Sequence, residues 1–363
     1  MSFTRIRTMM IAFVIVVLLA LSVFGVGAQT DAENPFTPVE LIEIADMLRA
    51  ATSDADSGSY SYGIVLNHLS PFWTAAAIGE QRAASEIGVP VVFMAPPVSG
   101  DIASQQSLVE TLVSGNYSGI AVSAIDPDSL VSLINNGINE GTNVIMIDSD
   151  SADSDRPLFI ALDNFQGGFL AGQAMVDALG EECGQVVGFV GFLTAQNTVD
   201  RIAGIEAAFE GTDCYLETVI GDDGEYNLAV SNSEQALVDY PDLKGVIGIY
   251  SYNGPALVQA LEDGDAVGRV KLVAFDLAVE TMQGLEDGIV SAAIGQRVYY
   301  YGYLPVYILH SMSVLGVDET MAMLEPYLSQ DNPFLLDAGA DVVTPDNLDQ
   351  YREYLESIGI ASQ

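Results

Sequence analysis

Two carboxylates, Asp148 and Asp276, each stand directly after a short, β-branched apolar run, and a scarce arginine, Arg201, lies between them in the chain. Amides at Asn253 and Gln296, hydroxyls at Ser123 and Ser149, and the adjacent aromatics Phe72 and Trp73 occupy similar places at the ends of apolar runs. His68, Ser70 and Tyr226 are weaker members of the same set. Together these types suit carbohydrate. Sugar hydroxyls pair with planar donors and acceptors, a guanidinium reaches two adjacent oxygens, and an aromatic ring covers an apolar sugar face. Catalysis is the competing use of paired acids. Glycoside hydrolysis wants two carboxyls ~5 to 10 Å apart, one with a raised pKa. Here an arginine and amides share the site and would keep both acids ionised. No GxSxG elbow, Walker loop or GxGxxG follows a strand, so the reading has no catalytic residue and no cofactor. With only His68 and His310, two cysteines and no CxxC, zinc and Cys–His chemistry have no ligand set either.

The elements that would position these groups alternate strictly. Apolar runs predict strands at 61–66, 89–94, 119–123, 143–147, 158–162, 185–190, 215–220, 245–250, 271–275 and 291–294. Helical patterns separate most of them. Continuously apolar strands fit parallel sheets covered on both faces, and the alternation implies α/β with right-handed crossovers. Two sheets of five or six strands suit this length better than one of ten. In such sheets ligands bind outside the carboxyl ends of the strands, where the polar residues above are placed.

Residues 1–28 read as a signal peptide: Arg5 and Arg7, an apolar core, then Val26-Gly27-Ala28 as a cleavage end. An uncleaved anchor is the alternative. Residues 29–59 read as an acidic tether outside the main fold, with one short helix opened by a Thr37–Glu40 capping box. The whole chain has 11 Lys+Arg against 50 Asp+Glu; loss of the leader leaves nine cations and a formal charge of −41. Such a field repels nucleic acid and anionic surfaces. Cys183 and Cys214 each precede a predicted strand. In an oxidising compartment they read as a disulfide between neighbouring strands, the alternative being two separate thiols.

Between residues 60 and 359 a family emerges. Ser70-Pro71-Phe72-Trp73 resembles an N-P-F-F segment whose aromatics stack on sugar, and Val144-Ile145-Met146-Ile147-Asp148 resembles a P-V-I-x-x-D strand ending in a ligand carboxylate. Arg201-Ile202-Ala203-Gly204-Ile205 is similar to an R-G-x-G-F helix start, and Val273-Ala274-Phe275-Asp276 to V-x-G-F-D. Ala293-Ile294-Gly295-Gln296 is similar to A-T-I-x-Q at a hinge, and Ala340 to Thr344 to a closing strand. Their order and spacing resemble the ribose- and galactose-binding group of periplasmic proteins, of the type I fold. The resemblance implies two lobes, 60–162 plus about 297–335 and 163–296 plus about 336–363, joined by three crossings near Asp163, Gln296 and Leu336. It further implies a monomer that closes on a neutral monosaccharide or polyol and hands it to the permease of an ABC transporter. The alternatives are a sensory subunit for a membrane kinase or chemoreceptor, or an exported glycoside hydrolase. Departures concern the exact sugar: Ser149 replaces a second arginine of ribose binders, Ser123 a usual Asn, and Ser70 the Asn before Pro.

Overall fold

The computed structural model describes residues 34–360. The leader expectation, residues 1–28, lies outside them. Among the described residues no helix is long and apolar enough to cross a membrane.

Two six-stranded sheets form, one per lobe. The first contains β1 (Tyr62–Val65), β2 (Val91–Met94), β3 (Gly119–Val122), β4 (Asn143–Ile147), β5 (Phe159–Ala161) and β11 (Leu335–Asp337), in the order β11-β5-β4-β3-β1-β2. The second contains β6 (Gln185–Val190), β7 (Tyr215–Gly221), β8 (Gly245–Gly248), β9 (Lys271–Phe275), β10 (Val290–Gln296) and β12 (Ala340–Val343), in the order β12-β10-β9-β8-β6-β7. Every pairing is parallel except β10 with β12, which is antiparallel. Buried Val, Ile, Leu and Phe fill the strands because helices cover both faces.

The helices are α1 (Val39–Ala51), α2 (Thr74–Ile87), α3 (Ile102–Ser114), α4 (Pro127–Asn139), α5 (Asn164–Leu179), α6 (Gln196–Phe209), α7 (Tyr226–Asp239), α8 (Asn253–Asp263), α9 (Val279–Glu286), α10 (Tyr299–Leu315), α11 (Val317–Leu324) and α12 (Leu348–Ser357). α1 corrects the tether expectation. Its Leu41, Ile44, Ala45 and Leu48, spaced three and four apart, are buried in the first lobe's core with Tyr300, Tyr307 and Ile308 of α10. The expected capping box is not made: Pro38 occupies the N-cap and no side chain caps the helix.

The chain passes between sheets three times, at 162–163, 297–298 and 338–339. The last passage falls two residues later than expected, because Leu335–Asp337 pairs with β5 in the first sheet. α12 belongs with the second lobe, where Arg352 pairs with Glu286 at 2.9 Å. Ile358 and Ile360, expected in that lobe, instead pack on the first lobe's core. The crossings are laced together. Asp337 accepts from the Asp163 and Gly339 backbone N–H groups at 2.9 and 2.8 Å, and Arg297 donates to Asp341 at 2.7 Å.

Cys183 and Cys214 are joined, their Cα atoms 4.6 Å apart at the entry to the neighbouring strands β6 and β7. Each lobe also has one close helix pair built on glycine. α2 meets α10 at Gly79 and Gly302, and α5 meets α6 at Gly168 and Gly204; at each, a Cβ would lie 1.9 to 2.2 Å from a carbonyl oxygen of the partner helix.

Glu80 stands on the buried face of α2, 5% exposed, with no cation in salt-bridge range among the described residues. Burial alone pushes its carboxyl up to about 7 from 4.5. The folded state therefore holds a proton that the unfolded chain releases, and this carboxyl makes stability fall as pH rises from 4.5 to 7. Glu80→Gln is expected to raise unfolding free energy at pH 8 by roughly 1 to 3 kcal/mol and to gain little at pH 4.5. Denaturant titrations at the two pH values measure this. Equal effects at both would mean that the carboxyl does not ionise in place.

Candidate functional site

β4 and β9 hold equivalent central places in their sheets, and each ends in an aspartate with left-handed backbone, φ 58° at Asp148 and 62° at Asp276. Aspartate tolerates this region better than most residues. The turn lets strand and following loop diverge while the carboxyl stays at the strand end.

Asp148 gathers the first lobe's polar groups. Its Oδ2 accepts from Ser123 Oγ at 3.0 Å, Asn67 Nδ2 at 3.3 Å and Ser149 Oγ at 3.4 Å. Asn67, from the end of β1, also accepts from Trp73 Nε1 at 3.2 Å, and its Oδ1 lies 2.7 Å from His68 Nδ1. Behind them Gln105 of α3, wholly buried, donates to the Leu66 and Ser123 carbonyls at 3.0 and 2.8 Å and accepts from Ile125 N–H at 2.9 Å. One amide thus ties the ends of β1 and β3 together. Arg156 holds the far side of the Asp148 loop through a two-pronged pair with Asp150.

In the second lobe Arg201 is 5% exposed. Its Nε donates to Asn164 Oδ1 at 3.0 Å and Nη1 to the Ile249 carbonyl at 2.9 Å, and the guanidinium carbon lies 4.4 Å from the centre of the Phe275 ring. No carboxylate pairs with it within 4 Å among the described residues. Its charge nevertheless acts on both aspartates, which oppose each other across the lobes. Burial raises Asp148 above the usual carboxylate range, with Ser123 and Arg201 opposing. Asp276 is pushed up to about 6, first by burial and further by Asp148, against Arg201 and a 2.9 Å hydrogen bond from Gln296 Nε2.

Phe72, Asp148, Ser149 and Gln296 remain partly exposed around these groups. Several expectations change. Trp73 is 2% exposed, edge-on to Phe72 with ring centres 5.1 Å apart, so Phe72 is the aromatic left open. Asn253 is wholly buried. Its amide donates to Asp222 at 2.8 Å and accepts from Tyr250 N–H at 2.9 Å, so it braces the turn into α8. Tyr226, 42% exposed at the start of α7, makes no hydrogen bond to the other candidates. The Ser70 hydroxyl is buried without a partner. Strand-end placement selects Asn67 beside His68 after the first strand but selects neither Asn164 nor Tyr301.

Two α/β lobes, each with a central strand ending in an aspartate, and a buried guanidinium whose charge acts on both carboxylates define a two-lobed ligand-binding protein. The chain belongs to the periplasmic binding protein domain family, which it matches over residues 62–314. It is 26% identical over 245 residues to the D-allose-binding periplasmic protein of Escherichia coli K12, covering 65% of this chain and 79% of that protein. A solved ABC transporter solute-binding protein from Burkholderia graminis, in complex with D-arabinose, is 29% identical with a TM-score of 0.69, over 81% of this chain and 98% of that one. A periplasmic solute-binding protein from Actinobacillus succinogenes with bound D-allose shares the fold at TM-score 0.71 and 17% identity, over 80% and 100% of the two chains.

Proposed function

We propose that this chain is an extracytoplasmic solute-binding protein. It captures a neutral monosaccharide or polyol between its lobes, as a monomer, and delivers it to the membrane permease of an ABC transporter. Residues 1–28 serve as its export signal. The observation that carries the reading is Arg201: a buried cation with no ion-pair partner among the described residues, acting on Asp148 of one lobe and Asp276 of the other. Neutral hydroxyls donate to both carboxylates and accept from the guanidinium, so each buried charge gains a partner. Phe72 covers the sugar face, and Ser123, Ser149 and Gln296 complete or hold the acceptors. Because the lobes each carry half of the contacts, ligand favours the closed form in which both halves are satisfied.

The family consists of binding proteins, and the two acids suit binding better than catalysis. A hydrolase divides its carboxyls into an acid and a base by pushing their pKa values apart. Here burial pushes both the same way and one arginine acts on both.

A thermal-shift screen over pentoses, hexoses, polyols, sugar phosphates, sugar acids and amino acids tests the reading. Ligand at 100 times its Kd adds about 2.7 kcal/mol of stability. The tightest hit is expected to be uncharged, with affinity that falls as acid protonates Asp276 below about pH 6. An anionic ligand would need a cluster of cations to offset the acids, so a sugar phosphate, sugar acid or amino acid as tightest hit would sink the proposal.

A further inference from the structure

The floor of the cleft contains a hydrogen-bond chain whose direction is fixed from its far end. The Leu162 N–H, on the first crossing between lobes, donates to Tyr301 Oη at 2.9 Å. The Tyr301 hydroxyl donates in turn to Gln296 Oε1 at 3.3 Å, on the second crossing. Gln296 Nε2 then donates to Asp276 Oδ1 at 2.9 Å. Tyr301 is wholly buried near the start of α10, between neighbouring elements of the first lobe's core. Its phenol is held in the neutral form by burial, and Asp148 and Asp337 reinforce this.

We infer that Tyr301 is a positioning residue for the ligand carboxylate Asp276: it sets the polarity of the Gln296 amide and so keeps the second lobe's acceptor ionised and aimed. This rests on the sugar-binding reading above. The reasoning is one of donors and acceptors. An amide can present either its oxygen or its nitrogen to a neighbour. A tyrosine hydroxyl that already accepts a backbone N–H has its own proton free to give, and Gln296 meets that proton with its oxygen. Its nitrogen is thereby turned toward Asp276, where a hydrogen bond to the charged form favours ionisation. Without the phenol only the ionised carboxylate, itself an acceptor, holds the amide in that orientation, and the amide oxygen loses its donor. The chain also ties Asp276 to both crossing segments, so the acceptor keeps its place while the lobes move.

Other charges bear on Asp276 as well. Arg201 on α6 favours its ionised form and Asp148 opposes it, while Tyr351 on α12 is close enough to feel the carboxylate. A merely structural tyrosine would leave their balance unchanged. The test therefore reads the pH dependence of sugar affinity, using the tightest neutral sugar from the screen and the full protein. In Tyr301→Phe the loss of affinity in acid is expected to begin about half to one pH unit higher than in wild type. Gln296→Glu keeps the partner for Tyr301 and cannot donate when ionised, so its acid limb should move the same way. It serves as the reading if Tyr301→Phe does not fold. The double variant Tyr301→Phe/Gln296→Leu should move the acid limb no further than Gln296→Leu alone. A Tyr301→Phe acid limb that coincides with wild type, an unmoved Gln296→Glu limb, or additive shifts in the double variant would each overturn the inference. A wild-type protein that binds no neutral sugar would instead overturn the functional reading, and this inference with it.

Discussion

Arg201→Ala is expected to weaken binding of the cognate sugar by about 10- to 150-fold, corresponding to ~1.5 to 3 kcal/mol, as measured by titration calorimetry. The physical reason lies in what the guanidinium does before any ligand arrives. It acts on Asp148 and Asp276, opposing the burial that raises both carboxyls. Removing it strands two acids that already repel each other, and a sugar then meets acceptors whose ionised forms are less favoured. The oxygens that the fork would have bonded lose their donor as well. The Ile249 carbonyl and Asn164 Oδ1 lose partners at 2.9 and 3.0 Å, which adds a smaller cost to stability. Arg201→Lys should lie between the two, because an ammonium keeps the charge and loses the planar fork over Phe275. Unchanged affinity in a folded Arg201→Ala protein would take Arg201 out of the site.

The lobes were legible because their strands are short, β-branched apolar runs, such as Val144-Ile145-Met146-Ile147 in β4, whose length and alternation with helical patterns fit a sheet covered on both sides. The shorter elements were hidden. β11 offers only Leu335-Leu336-Asp337 beside a proline, too little for a period, and is a strand because β5 already presents an edge. α11 begins just after Gly316, which has φ 95° and breaks it from α10, and its eight residues carry little period of their own. α1 reads as part of a tether because acidic, small residues flank it on both sides. Its Leu41, Ile44, Ala45 and Leu48 carried the three-and-four spacing all the same.

At the site, residue type and strand-end placement point to Asp148, Asp276 and Gln296, since carboxyl ends of central strands must meet the cleft, while Arg201 stands out by the scarcity of arginine and the family's helix-start motif. They did not distinguish an amide that faces ligand from one that faces a turn. Asn253 and Asn67 have the same side chain and similar places, yet Asn253 is spent on Asp222 and Tyr250 while Asn67 reaches Asp148 and Trp73. Tyr301 was masked by its neighbours. In the run Tyr299-Tyr300-Tyr301 every ring is buried, and only the position of one hydroxyl between Leu162 and Gln296 singles it out.

Gly168→Ala is expected to damage both the fold and the site, because the atom it would strike belongs to Arg201 itself. A Cβ at position 168 would lie 2.0 Å from the Arg201 carbonyl oxygen and 2.7 Å from its Cα. Backbone on a packed helix cannot step aside as a flexible side chain can, so α5 and α6 must separate. Overpacking of this kind costs about 1 to 3 kcal/mol, and the backbone target places this site at the upper end of that range or above it. The displacement also moves the guanidinium off its bonds to Asn164 and Ile249, and with them its aim at Asp148 and Asp276. Gly302→Ala supplies the control. Its Cβ would lie 1.9 Å from the Ala76 carbonyl oxygen in the corresponding helix pair of the first lobe, whose one guanidinium, Arg82, pairs with Glu86 at 2.9 Å. Both variants should lower the denaturation midpoint by similar amounts. At a temperature where each remains folded, Gly168→Ala should lose about tenfold more sugar affinity than Gly302→Ala, on the scale of a misplaced charged hydrogen bond. Equal losses of affinity would show that Arg201 tolerates movement of its helix, and an unchanged midpoint in Gly168→Ala would show that α5 and α6 do not meet at this glycine.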